Sequence, residues 1–154
     1  HGQHTAEDSH NGIAVSHKSK EEMEICEWRP YESLSIENCV MVGHIAAPEI
    51  TGDLTPASMS YEIVTGILRQ QLSFEGVVLT DALGMGAITN EYTSAEAAVN
   101  AIEAGCDILL CPDDLRESFE AVTESVENGT ISEERINESV YRILRLKRMY
   151  GLIK

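Results

Sequence analysis

The chain has 154 residues, with 26 acidic side chains against 11 basic ones and a formal net charge of −15. Hydrophobic residues make up 43% of it, which is typical of a globular protein and too many for a disordered acidic tail. A nucleic-acid binder needs a basic surface along the phosphates, and no cluster of lysine or arginine is present, which argues against that class. No apolar run approaches the roughly 20 residues that span a bilayer, so the sequence predicts no transmembrane helix and no membrane partner.

The four cysteines, at positions 26, 39, 106 and 111, include no CxxC pair. Cys39, Cys106 and Cys111 lie in or beside apolar runs, where cysteine usually acts as a small buried hydrophobe. We therefore expect reduced thiols, with a disulfide or a metal site as the alternatives, and no metal ion or cofactor. Reduced thiols weakly favour a cytoplasmic protein, and residues 1–4 lack the apolar core and basic flank of a secretion signal.

Three short apolar runs alternate with helical patterns along the chain. The runs lie near residues 39–45, 76–80 and 106–111, and they are β-branched and nearly free of charge. Such runs predict parallel strands that are buried on both faces. Their starts are 37 and 30 residues apart (39 to 76, then 76 to 106), which leaves room for a helix and a right-handed crossover in each unit.

Capping signals indicate where the helices begin and end. The expected N-terminal signals are the capping boxes Ser19–Glu22 and Thr93–Glu96, and the N-caps Ser60, Asp113 or Asp114, and Ser132. Gly105, Gly129 and Gly151 are the expected stops. The helix after the third strand carries an apolar stripe, which we expect to face inward: Leu115, Phe119, Val122 and Val126.

Repeated strand–helix units occur in two architectures, a doubly wound open sheet and a (β/α)8 barrel. A whole barrel takes roughly 250 residues, so 154 residues supply only about half of one. The usual nucleotide cradles, GxGxxG and GxxxxGK[ST], are missing. We expect one domain, with residues 1–18 as a polar loop and residues 19–154 as a helix, three βα units and a terminal helix.

In both architectures functional groups gather at the carboxyl ends of the strands. Asp81 directly follows the second predicted strand, and such rigid placement suits a nucleophile; the alternative is an aspartate that caps the next turn. His44 follows the first predicted strand in the same way, with a hydrogen-bonded core or rim histidine as the alternative. Asp113 and Asp114 are better explained as a helix N-cap.

The polar loop offers a second candidate group, Asp8-Ser9-His10. A carboxylate two residues from an imidazole can accept its Nδ1–H, set the tautomer and raise the basicity of the ring. That pair can act as a general acid and base, and the alternative is a solvated aspartate and histidine. His1, His4 and His17 have no such partner, and we expect them at the surface.

Several segments occur in the order found in one known family: Thr5–His10, Val40–Ile45, Pro56–Ser60, Gly76–Met85, Ile131–Ile136 and Arg142–Leu144. Together they resemble the family 3 glycoside hydrolases, specifically the β-N-acetylglucosaminidase branch, whose catalytic domain is a (β/α)8 barrel. The resemblance spans essentially the whole chain. It implies an α/β fold that forms the C-terminal half of such a barrel.

The resemblance also implies an activity and site residues. Asp81 would be the nucleophile and His10 the acid/base, in a dyad with Asp8, while His44 and Met85 at the same rim would bind substrate. The reaction would be two-step retaining hydrolysis of terminal β-linked N-acetylglucosamine. Glucosidase members take their acid/base from elsewhere, so the Asp8-Ser9-His10 element favours the N-acetylglucosaminidase branch.

Three alternatives stay open. A same-fold phosphorylase is one, because a histidine repels an incoming anion less than a carboxylate does. A non-catalytic fragment is another, since the Lys-His-Phe-Pro-Gly segment of the family is absent from this chain. The third is a doubly wound response-regulator-like or ligand-binding module. For the leading hypothesis the expected partners are a carbohydrate substrate and either an N-terminal half or a second copy that closes the barrel.

Overall fold

Three parallel strands form the centre of the fold. The computed structural model describes residues 10–154, and in it the strands follow chain order across one sheet: β1 (Cys39–Val42), β2 (Val77–Ala82) and β3 (Ile108–Leu110). The pairs β1–β2 and β2–β3 are both parallel. The predicted strands are confirmed, although β1 and β3 are shorter than expected and β2 extends two residues further. Asp81 therefore lies inside β2 rather than after it.

The helices occupy most of the remaining chain. The α-helices are α1 (Lys20–Ile25), α2 (Pro48–Thr51), α3 (Gly86–Thr89), α4 (Ser94–Ala104), α5 (Leu115–Glu127) and α6 (Glu133–Met149). The helix expected after Ser60 is a π-helix, Glu62–Gln71, and short 3₁₀ turns cover Arg29–Ser33 and Ala57–Met59. Over residues 10–154, none of these helices is long and apolar enough to cross a membrane.

Side-chain caps fix the starts of α1, α4 and α5 as the sequence predicts. The Ser19 hydroxyl accepts from the Glu22 N–H at 3.3 Å, and the Glu22 carboxylate accepts from the Ser19 N–H at 2.8 Å. Thr93 and Glu96 form the same reciprocal box at α4. Asp114 caps α5 by accepting from two backbone N–H groups, which confirms the N-cap interpretation of this acidic pair.

The hydrophobic core lies on one side of the sheet. Val40, Val42 and Val78 pack there against Val64 and Leu68 of the π-helix. On β1 the burial alternates, and Met41, which points to the opposite face, is 52% exposed. The prediction of strands buried on both faces is therefore wrong for β1. Successive side chains of a strand point to opposite faces, so Met41 lies on the face turned away from the core.

Helix α5 presents its apolar stripe differently from the prediction. Leu115 and Phe119 are 72% and 69% exposed, so the expectation that they face inward is wrong. The residue of α5 that is buried is Ser118, whose hydroxyl donates to the Ser94 carbonyl of α4 at 3.1 Å. This contact turns the Ser118 side of α5 toward α4 and leaves the start of the stripe in solvent.

The cysteines divide into one buried thiol and three exposed ones. Cys106 is fully buried, and burial raises the pKa of its thiol to about 12. Cys26, Cys39 and Cys111 are exposed, so the prediction that Cys39 and Cys111 are buried is wrong. All four thiols are free in the structure.

A buried ionic cluster joins the start of β3 to its surroundings. The Asp107 carboxylate, which has no exposed side-chain surface, contacts Arg69 of the π-helix at 2.6 Å and Arg142 of α6 at 3.0 Å. It also accepts from the Ser139 hydroxyl at 2.7 Å and from the Val78 N–H of β2 at 3.0 Å. One carboxylate thus ties together two strands and two helices at the amino end of the sheet.

Candidate active site

Asp81 is held by the central strand, one residue before its carboxyl end. Met41 of β1 pairs with Leu79, two residues before Asp81, and the register of β2 against β3 shifts between Leu79 and Ala82. Its carboxylate accepts from the Ala82 N–H at 2.8 Å. Asp81 is half-buried and lines a cavity of about 500 Å³, which Trp28 and Tyr31 also line.

The segment after Asp81 is tied to the end of β3. The Leu83 N–H donates to the Leu110 carbonyl at 2.9 Å, and the Gly84 N–H donates to the Cys111 carbonyl at 3.0 Å. Cys111 has a positive φ of 41°, which is uncommon for a residue other than glycine. These bonds limit the movement of the backbone that carries the carboxylate.

His44 is completely buried beside this segment. Its Nε2 lies 3.0 Å from the Ala82 carbonyl oxygen, and its Nδ1 lies 2.8 Å from the Ser58 hydroxyl. A carbonyl oxygen can only accept, so the proton is on Nε2. In the neutral ring Nδ1 is then an acceptor, and the Ser58 hydroxyl donates to it.

The surroundings of His44 favour its neutral form. Burial lowers the pKa of the imidazole below its ordinary value, and this outweighs the opposing effects of the Ala82 hydrogen bond and the Asp81 charge. With both ring nitrogens bound to protein, the geometry corresponds to the hydrogen-bonded core histidine. A direct contact of His44 with substrate stays a prediction.

Met85 is buried as well, with 8% of its surface exposed. Its N–H donates to the Ala82 carbonyl at 3.1 Å, so this oxygen accepts from both Met85 and His44. Met85 occupies the N-cap position of α3 without a side-chain capping bond. Its assignment to substrate binding stays a prediction.

His10 is the first residue that the structure describes, and it is exposed. Its carbonyl oxygen accepts from the Gly86 N–H at 3.2 Å, which brings the polar loop to the segment that follows Asp81. Asp8, His1 and His4 lie outside the described residues. The Asp8–His10 dyad therefore stays a prediction.

The remaining titratable candidates do not join this site. His17 is exposed and lies 3.9 Å from Glu49, in agreement with a surface position. Asp113 and Asp114 mark the start of α5. Within residues 10–154 no group of three histidine, cysteine, aspartate or glutamate side chains could hold a metal ion.

Comparison with known proteins decides the family. Residues 1–146 match the N-terminal domain of glycosyl hydrolase family 3. The chain belongs to this family. It is 34% identical over 122 residues to the "Beta-N-acetylglucosaminidase/beta-glucosidase" of Cellulomonas fimi, over 73% of this chain and 22% of that protein. The chain spans about a quarter of the length of the curated relatives that it matches first.

Solved structures of family 3 proteins share the fold. A β-N-acetylglucosaminidase from Paenibacillus sp. str. FPU-7 superposes with a TM-score of 0.88 at 37% identity, over 94% of this chain and 28% of that chain. A beta-glucoside phosphorylase superposes with a TM-score of 0.87 at 31% identity, over 96% of this chain and 29% of that chain. The predicted α/β fold, part of a (β/α)8 barrel, is confirmed.

The sequence did not predict the contacts of three residues of this family 3 domain: Ser58, Gly86 and Asn90. Ser58 lies within the Pro56–Ser60 segment, but nothing local indicates that its hydroxyl meets His44. Gly86 and Asn90 contact the polar loop through bonds that join residues far apart in sequence. No local pattern reports such contacts.

Proposed function

We propose that this family 3 domain hydrolyses terminal β-linked N-acetylglucosamine from glycosides by a two-step retaining mechanism. The observation that carries the proposal is the position of Asp81, at the carboxyl end of the central strand and at the wall of a cavity. The similarity to the enzymes from Cellulomonas fimi and Paenibacillus supports the substrate class. The polar loop, residues 1–18, would be the catalytic loop, and residues 19–154 its scaffold.

In the first step Asp81 attacks the anomeric carbon while the bond to the leaving oxygen breaks. The protonated His10 imidazole gives its proton to that oxygen, and a covalent glycosyl–Asp81 ester forms. The backbone bonds around Ala82, Leu83 and Gly84 support this step, since a nucleophile must be held at near-attack distance from the carbon.

In the second step neutral His10 takes a proton from water as that water attacks the anomeric carbon. The ester bond to Asp81 breaks, the sugar leaves with its original configuration, and His10 returns to the protonated form. A histidine serves both steps because its ordinary pKa lies near neutrality. Asp8 would accept from Nδ1 and stabilise the imidazolium.

A phosphorylase is the second candidate. The similarity to a beta-glucoside phosphorylase favours it, and the same two residues would serve with phosphate in place of water. In that reaction a phosphate oxygen attacks the anomeric carbon of the glycosyl–Asp81 ester and a sugar phosphate leaves. A strong increase in the second-step rate with inorganic phosphate, together with a sugar-phosphate product, would select this candidate over hydrolysis.

The test of the proposal is the leaving-group dependence of a His10→Ala variant, measured in the polypeptide that contains this domain. An alkyl N-acetylglucosaminide needs a proton on its leaving oxygen, and a nitrophenyl one does not. We expect kcat/KM to fall by about 100-fold or more for the alkyl substrate and to change little for the nitrophenyl one. Azide, a nucleophile that needs no general base, should partly restore kcat with the nitrophenyl substrate.

His17→Ala is the matched control, because His17 is an exposed imidazole outside the proposed machinery. It should leave kcat/KM unchanged with both substrates. Equal losses with both substrates in His10→Ala would contradict the acid/base role. Absence of any N-acetylglucosaminidase or phosphorylase activity in the unaltered polypeptide would contradict the proposed function itself.

A further inference from the structure

Helix α3 holds the loop that carries His10. The backbone N–H of Gly86, the first residue of α3, donates to the His10 carbonyl at 3.2 Å. At the other end of the helix the Asn90 side-chain amide donates to the Asn11 carbonyl at 3.1 Å. Two consecutive carbonyls of the loop are therefore bound by the two ends of one short helix.

The contact at Gly86 is close enough to exclude any side chain. A Cβ atom added there would lie 2.7 Å from the His10 carbonyl oxygen and 3.1 Å from the Asn11 carbonyl oxygen. Both are backbone atoms, so the loop itself would have to move. Gly86 is not one of the glycines with a positive φ, so alanine is excluded by this approach and not by the backbone conformation.

The same helix begins where the Asp81 segment ends. The Met85 N–H donates to the Ala82 carbonyl at 3.1 Å, which closes a tight turn between Asp81 and Gly86. This turn therefore fixes the position of the loop relative to β2, the strand that carries the proposed nucleophile.

We propose that Gly86 and Asn90 are positioning residues that set the distance from His10 to the glycosidic oxygen of a sugar held at Asp81. This inference rests on the proposed function. Proton transfer needs a donor–acceptor distance of about 2.6–3.2 Å. Relief of the contact to an ordinary 3.4 Å separates the His10 carbonyl from Gly86 by a further 0.7 Å (2.7 to 3.4 Å). A displacement near 1 Å costs on the order of 100-fold in rate.

The test compares Gly86→Ala and Asn90→Ala with the unaltered polypeptide that contains this domain, on the alkyl and nitrophenyl N-acetylglucosaminides. We expect Gly86→Ala to lower kcat/KM for the alkyl substrate by about 10- to 100-fold and to leave the nitrophenyl value within about threefold. Asn90→Ala should shift the same ratio in the same direction by less, because it removes one hydrogen bond and creates no clash.

Matched controls separate positioning from general damage. Gly66→Ala places a methyl group in the π-helix against the flexible Glu62 side chain, and Glu91→Ala truncates the exposed neighbour of Asn90. Neither should change the ratio of the two kcat/KM values. If Gly86→Ala does not fold, as judged by its thermal melt, the Asn90→Ala ratio decides.

Two results would overturn the inference. One is an equal loss on both substrates, which would mean that α3 supports Asp81 and not His10. The other is an unchanged ratio in a folded Gly86→Ala or Asn90→Ala variant when His10→Ala itself shows the leaving-group dependence. If His10→Ala shows no such dependence, the acid/base assignment of His10 is wrong, and this inference is wrong as well.

Discussion

The Ala82 carbonyl connects His44 to the proposed nucleophile at the scale of single residues. This oxygen belongs to the residue after Asp81, and it accepts from the His44 imidazole and the Met85 N–H. A backbone carbonyl has two lone pairs, and both are used here. His44 therefore holds the backbone beside Asp81 and does not itself line the cavity.

The lowered pKa of His44 predicts a pH-dependent part of the stability. The fold favours neutral imidazole, so the unfolded chain binds more protons between the folded pKa and the ordinary value of 6.5. This contribution is fully present above about pH 6.5, and it is lost as the pH falls toward the folded pKa. Urea unfolding of the polypeptide that contains this domain, and of its His44→Gln variant, at pH 7.5, 6.5 and 5.5 measures it.

We expect the free energy of unfolding of the unaltered protein to decline toward that of His44→Gln as the pH falls. Every other titrating group is the same in the two proteins, so the difference between their free energies of unfolding isolates the contribution of His44. A difference between the two proteins that stays constant from pH 7.5 to 5.5 would show that His44 does not titrate with folding.

At the scale of secondary-structure elements, the sequence predicted the features that depend on neighbouring residues. The capping boxes Ser19–Glu22 and Thr93–Glu96 and the Asp114 cap appear where expected, because each is a bond within one turn. The three strands follow from runs of apolar residues. Asp81 and His10 were found by motif, with their roles implied by the family resemblance.

The elements that the sequence did not predict depend on contacts between distant residues. The extension of β2 through Asp81 and Ala82 comes with the alignment of Ala82 beside Leu110 of β3. The orientation of α5 follows from the Ser118–Ser94 bond, and the Asp107 cluster joins residues up to 38 positions apart. Such partners have no signature in local periodicity.

At the scale of the whole molecule, the three-stranded sheet is open at its two edges, which β1 and β3 form. Neither β1 nor β3 has a second partner among the described strands, although Val15 forms an isolated parallel bridge with Ala46 beyond the end of β1. Met41 is exposed on the face turned away from the core. Leu115 and Phe119 of α5 are exposed as well. Unpaired strand edges and exposed apolar side chains both favour association. We propose that further strands, from the same polypeptide or from a second copy, complete the barrel.

This proposal predicts the behaviour of the 154-residue chain by itself. Each large apolar side chain left in water forfeits about 1.5–3 kcal/mol, against a total stability of about 5–15 kcal/mol for a typical domain. We expect light scattering to find oligomers or aggregates, and thermal melting to lack a sharp cooperative transition. A monomer that melts cooperatively at micromolar concentration would contradict the need for barrel completion.

The most direct test of the central claim is to trap the glycosyl–enzyme intermediate. A 5-fluoro N-acetylglucosaminyl fluoride destabilises the oxocarbenium-like transition state while its good leaving group lets the first step proceed, so the ester accumulates. After proteolysis of the labelled polypeptide, mass spectrometry should find the sugar on Asp81, and an Asp81→Asn variant should remain unlabelled. Recovery of the sugar on a different carboxylate would contradict the assignment of Asp81 as the nucleophile.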